Sequence, residues 1–161
     1  MKKIFLFLVI AIKLIFYSNI AVSKIIGDKI IIGTTLSITG KNSSENLLYK
    51  NQFDRAIESI NSLGGVNVGG KSYQFEIIYY DNESNASRAN QLITRLIQND
   101  GVQYLIILQN EKLSIPLKNL IENEQISIAT SYEAISIYKK AFESVNSIES
   151  KIIKNFILNN S

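Results

Sequence analysis

The chain has 161 residues, no cysteine and no histidine, and 17 basic against 14 acidic residues. Disulfide stapling, a lipid-modified N-terminal cysteine, and the commonest metal ligand and general base are therefore excluded. Three basic residues, Lys2, Lys3 and Lys13, lie in an N-terminal segment read as a signal; without them the charges balance at 14 each, leaving no basic stripe to neutralise the phosphates of a nucleic acid.

Lys2 and Lys3 precede an apolar core from Ile4 to Ile12, and Lys13 interrupts it before Leu14 to Tyr17 resume. Ala21-Val22-Ser23 supplies the small-x-small pattern of a cleavage site, which puts the mature start near Lys24. No uninterrupted apolar run reaches the ~18–20 residues of a spanning helix. Residues 1–23 are read as a signal peptide and 24–161 as one domain, whole or partial, roughly 138 residues long and able to bury a core.

Ile30 to Thr34 is a continuous apolar run, as expected of a strand buried on both faces. Asn46 to Leu63 carries Phe53, Ala56, Ile57, Ile60 and Leu63 at helical spacing, and Gly64-Gly65 ends it. A second turn falls at Gly69-Gly70, followed by a β-branched and aromatic strand from Tyr73 to Tyr80. Asp81 to Asn85 breaks that strand and caps a helix with Ala89, Leu92, Ile93, Leu96 and Ile97 on its inner face, stopped by Asp100-Gly101. Val102 to Leu108 is the third strand. Pro116 suits the first turn of a helix with Leu117, Leu120 and Ile121 behind it, and Ile126 to Ala129 is the fourth strand. In the tail, Phe142 to Val145 is expected to be extended, and Ser147 to Leu158 to be a helix with Ile152, Ile153 and Phe156 inward.

This β-α-β-α-β-α-β order predicts an α/β fold: a doubly wound parallel sheet of flavodoxin-like or Rossmann-like type, three-layer αβα, with strand order 2-1-3-4. Ligands of such sheets bind beyond the carboxyl ends of the strands at the switch point, here the loops Leu36 to Ser44, Gln109 to Leu113 and Thr130 to Glu133. The first is rich in hydroxyls and glycine and suits a carboxylate or other small anion; ordinary turn and capping chemistry explains the same residues. Asp81, Glu83 and Glu111 are the carboxylates available for acid–base work, but Asp81 fits the end of a strand and the start of an Asx turn better. Without a nucleophile–base pair, no catalytic residue, metal or cofactor is assigned.

Three segments carry a family resemblance: Leu36-Ser37-Ile38-Thr39-Gly40 before the first helix, Ile60-Asn61-Ser62-Leu63-Gly64-Gly65-Val66, and Tyr80-Asp81-Asn82-Glu83-Ser84-Asn85. In this order they resemble the first lobe of the periplasmic leucine/isoleucine/valine-binding proteins, the solute receptors of ABC importers. The resemblance covers Ile30 to about Thr130. It implies a receptor lobe that binds an amino acid or similar small polar solute, works with an inner-membrane permease, and resides in the periplasm after signal cleavage. It also implies closure of two lobes around the solute. The second lobe is not found in this sequence, so the chain reads as a truncated N-terminal lobe expected to bind weakly alone and to self-associate through exposed apolar surface. The ligand-binding residues it suggests are Ser37, Thr39, Gly40, Asn110, Ser114, Thr130 and Ser131.

Besides Ala86 or Ser87 standing where the family usually has a proline after the third of these segments, two places depart from the family pattern. The hydroxyl-rich turn usual after the third strand is replaced by Gln109-Asn110-Glu111-Lys112-Leu113-Ser114, and the Ser-Pro after the fourth by Thr130-Ser131-Tyr132-Glu133. The usual carboxylate cradle is thereby eroded. The charged Gln109 to Lys112 turn supports an alternative reading, an exported α/β module that binds a protein partner and no solute.

Overall fold

The structure is a computed structural model that describes residues 25–109 and 111–160; the signal-peptide segment and Asn110 lie outside the described residues. Among the described residues six strands are present: β1 (Ile25–Ile26), β2 (Lys29–Leu36), β3 (Val66–Val68), β4 (Lys71–Asp81), β5 (Tyr104–Ile106) and β6 (Ser127–Ala129). Five helices join them: α1 (Ser43–Ser62), α2 (Ala86–Gln98), α3 (Ile115–Asn123), α4 (Ala134–Val145) and α5 (Ser150–Asn159).

The sheet runs β3-β4-β2-β5-β6, with β1 paired to β2. The four strands β4, β2, β5 and β6 are mutually parallel, and theirs is the order 2-1-3-4 expected from sequence. Strand β2 lies at the centre. From Ile30 to Leu36 every residue is buried, because helices cover both faces. On one face Ile30 and Ile32 meet Phe53 of α1, Tyr138 and Phe142 of α4, and Ile153 of α5. On the other, Ile31 joins Ile93 and Leu96 of α2 and Leu117 and Ile121 of α3. Period-two alternation along one strand thus feeds two separate cores.

Gly33 sits between these cores for a steric reason. A Cβ there would lie 3.0 Å from a Val102 methyl and 3.1 Å from those of Leu96, so the missing side chain lets α2 settle onto the sheet. Asn61, near the end of α1, fixes that helix to β4. Its amide accepts the Phe75 N–H and donates to the Phe75 carbonyl, both at 2.8 Å.

Strand β3 is added to those expected, and two expectations are corrected. Val66–Val68 is a strand, forming an antiparallel hairpin with β4 through the Gly69-Gly70 turn. Phe142 to Val145 is not extended but ends α4, whose Ala134, Ile135, Tyr138, Ala141 and Phe142 form a buried stripe. Here the i, i+3, i+4 spacing is carried partly by alanine and tyrosine, which signal weakly in a hydrophobic pattern. In α5 the buried stripe runs through Ile153 and Ile157. Phe156 packs partly against the core, and Ile152, expected inward, is exposed.

The tail helices close the β6 side. The Tyr138 hydroxyl lies 2.8 Å from the carbonyl oxygens of both Leu105 and Ser127, bridging β5 and β6. Phe142 packs edge-on against Tyr104, with ring centroids 5.0 Å apart.

Candidate functional site

At the carboxyl ends of the parallel strands, four loops surround an open cavity of about 550 Å³. Ser37 enters from the loop after β2, Asn82 from the turn after β4, Glu111 from the loop after β5, and Thr130 and Ser131 from the loop after β6. Helix α1 adds Glu45, Asn46 and Tyr49, and α2 adds Ala89 and Asn90. This is the switch point: β2 is followed by a helix on one face, and β5 by a helix on the other.

Asp81 organises the first loop. Its Oδ1 accepts the N–H groups of Ile38 (3.0 Å), Thr39 (3.2 Å) and Glu83 (2.9 Å), and its Oδ2 accepts the Thr39 hydroxyl at 2.7 Å. The bond to Glu83 is the Asx turn expected from sequence. Desolvation pushes this carboxyl up, but the Thr39 hydroxyl and the three backbone donors outweigh it and hold the group below the usual carboxylate range. The backbone amides that could have cradled a ligand anion are therefore already satisfied by the chain itself.

Gly40 has φ +87, and a Cβ would stand 2.7 Å from the Glu83 carbonyl oxygen. Only glycine lets the first loop lie against the turn after β4. Ser84 completes that junction: its Oγ accepts from Asn42 N–H at 3.0 Å and donates to the Thr39 carbonyl at 3.3 Å.

A second network floors the cavity. The Ser37 hydroxyl donates to Asn82 Oδ1 at 2.8 Å, and Asn82 Nδ2 donates to Glu111 Oε1 at 3.1 Å. The Thr35 hydroxyl, at the end of β2, donates to the same carboxylate at 3.1 Å from Oε1 and 3.3 Å from Oε2. Burial pushes the Glu111 carboxyl up to about 7, against the downward pull of the bonds from Thr35 and Asn82.

Of the residues expected from sequence, Ser37, Thr130 and Ser131 line the cavity. Thr39 and Gly40 lie beside it, engaged with Asp81 and the turn after β4. Ser114 lies in an adjoining groove between α2 and α3, where its N–H donates to Asn90 Oδ1 at 2.7 Å. Asn110 is outside the described residues. Sequence reasoning missed Thr35, Asn46, Asn82 and Asn90 as site residues, and gave Glu111 only as a crowding charge or one of three carboxylates. An asparagine one residue past a strand end was the available signal for Asn82.

The family model described as periplasmic binding protein matches residues 29–134, more than half of the chain and all the elements that build the cavity floor. The chain belongs to the periplasmic binding protein family. This is a family of binding proteins, not enzymes, in keeping with the lack of a nucleophile–base pair in the sequence.

Among solved structures, the fold is similar to the branched-chain amino acid transporter substrate binding protein LivJ of Streptococcus pneumoniae, solved with isoleucine. The identity is 16% and the TM-score 0.51, over 81% of this chain and 46% of that one. An ABC transporter substrate binding protein of Aeropyrum pernix matches at 18% identity and TM-score 0.56, over 65% of this chain and 27% of the other. A putative branched-chain amino acid ABC transporter from Silicibacter pomeroyi matches at 20% and 0.54, over 74% and 30%. The chain thus spans less than half the length of these relatives.

Proposed function

We propose that this periplasmic binding protein is the substrate-binding component of an ABC importer for amino acids or a similar small polar solute. The observation that carries this reading is the cavity at the carboxyl edge of the parallel sheet, walled by the loops after β2, β4, β5 and β6. Ser37, Thr130 and Ser131 are the proposed solute contacts, with Thr39 and Gly40 shaping the first loop; Ser114, in the adjoining groove, and Asn110 are further proposed contacts that rest on the sequence. The residues described here supply one wall of a cleft that a second lobe closes, after which the loaded receptor docks on an inner-membrane permease. Export through a cleaved signal to the periplasm completes the proposal. Among the described residues no helix is long and apolar enough to cross a membrane.

One wall alone leaves the solute half in water, so weak affinity is expected of residues 24–161 when they are assayed without a second lobe. Chemical-shift mapping suits that regime. Free amino acids, their amides and short amines, titrated at millimolar concentration, should shift the backbone resonances of Ser37, Asn82, Thr130 and Ser131. If no such solute moves them, the receptor reading falls. Glu111 turns into the cavity, which favours the solute reading, whereas Gln109 and Lys112 of the same turn are exposed and are what the protein-docking alternative rests on.

A further inference from the structure

The donors on the floor of the cavity are arranged the wrong way round for a carboxylate. The Ser37 hydroxyl hydrogen goes to Asn82 Oδ1. The Asn82 amide and the Thr35 hydroxyl both point at Glu111. The amides of Ile38 and Thr39 are held by Asp81. A ligand anion at this floor would find the Ser37 and Thr35 hydroxyl hydrogens committed and a carboxylate of the protein already beside them.

We propose that Glu111 makes this cavity a site for a cationic hydrogen-bond donor, an ammonium or guanidinium group, in place of an anionic one. The inference rests on the solute-receptor reading and names the chemical group that this wall of the cleft takes.

The free valences support it. Glu111 Oε1 accepts two hydrogen bonds, whereas Oε2 has only the longer, 3.3 Å branch of the Thr35 hydroxyl, whose single hydrogen already serves Oε1. A carboxylate oxygen has two lone-pair sites, so Oε2 retains capacity for a donor from the cavity. Ser37 Oγ, having given its hydrogen to Asn82, can accept from the same ligand. The ionisable residues lining the cavity are Glu45, Glu111, Lys112, Tyr49 and Tyr132, two acids against one base. Glu45 Oε1 is bound by the Tyr49 hydroxyl at 2.9 Å. A cation at Oε2 would relieve the penalty that burial places on the Glu111 charge.

The test uses the two halves of leucine as probes: isopentylamine, which keeps the amine, and isocaproate, which keeps the carboxylate. Titrated into the labelled chain at pH 8, where Glu111 is mostly ionised, isopentylamine should shift resonances of Thr35, Asn82 and Glu111, and isocaproate should leave them in place. In Glu111→Gln the amine should lose about tenfold or more in affinity, the size of one hydrogen bond to a charged group. Lys151→Gln, an exposed charge on α5 outside the cavity lining, should retain amine binding. Isocaproate shifting these resonances while the amine does not would overturn the inference and leave the receptor reading standing. Equal amine affinity in Glu111→Gln and the parent would also overturn it. No response to either probe, or to any amino acid, would remove the receptor reading as well.

Discussion

Glu111 and Asp81 are two carboxylates a few ångströms from the same loops with opposite electrostatic fates, and each sets a distinct pH dependence. Asp81 collects four donors and stays ionised below the usual carboxylate range. Asp81→Ala leaves the N–H groups of Thr39 and Glu83 without their acceptor, and that of Ile38 with only the Leu36 carbonyl, and should cost about 1–2 kcal/mol, read as a lower denaturant midpoint at pH 7. Glu111 is partly buried with two donors, and its carboxyl rises from the reference 4.5 to about 7. Between those values the folded chain holds a proton that the unfolded chain has released, so this group's contribution makes stability fall as pH rises through that window. Glu111→Gln removes the charge that burial penalises while keeping an oxygen for the Asn82 amide. It should be the more stable form at pH 8 by on the order of 1–2 kcal/mol. The gap should close towards pH 4.5 in parallel urea titrations. A variant less stable than its parent at pH 8 would mean that the hydrogen bonds outweigh desolvation.

At the scale of elements, helix-on-sheet contacts give sharper expectations. Gly33→Val would drive methyls into Leu96 and Val102, already 3.0–3.1 Å from the position of a Cβ. Overpacking of this kind costs about 1–3 kcal/mol, and α2 should loosen first, visible as faster amide exchange at Ile93 and Leu96. Phe142→Ala would open a cavity where α4 meets Tyr104 and Phe75, with an expected loss of about 3–5 kcal/mol in thermal or urea denaturation. The alternation of strands and helices was legible because Ile30 to Ile32 form a continuous apolar run and Ala89 to Ile97 carry a helical periodicity. Strand β3 was not, since three residues alternate too briefly and their pairing is set by the Gly69-Gly70 turn. Helix α4 was obscured because its stripe is built from Ala134, Tyr138 and Ala141 as much as from large aliphatics. The location of the cavity followed from topology alone. Its chemistry did not, because sequence cannot show that Asp81 takes the first-loop amides or that Glu111 folds inward; both depend on loops brought together from distant segments.

For the molecule as a whole, the two carboxylates shape one stability profile. Asp81 adds stability above its unfolded value of 3.8, lost as pH falls through that value and below. Glu111 subtracts stability as pH rises from about 4.5 to about 7. Their combined contribution is greatest in a mildly acidic band between these limits, and thermal unfolding should show a higher midpoint at pH 4.5 than at pH 8. The central position of β2 also has a kinetic consequence. Lys29 pairs with Gln74 on one side and Ile32 with Tyr104 on the other, so its parallel pairings close long loops, whereas the β3–β4 hairpin joins Val68 to Lys71. Loops of that length slow folding. During synthesis, Ile30-Ile31-Ile32 emerges early yet cannot find its second partner strand until residue 104 has been made. For that interval it is the stretch most open to a holding chaperone or to a neighbouring unfinished chain.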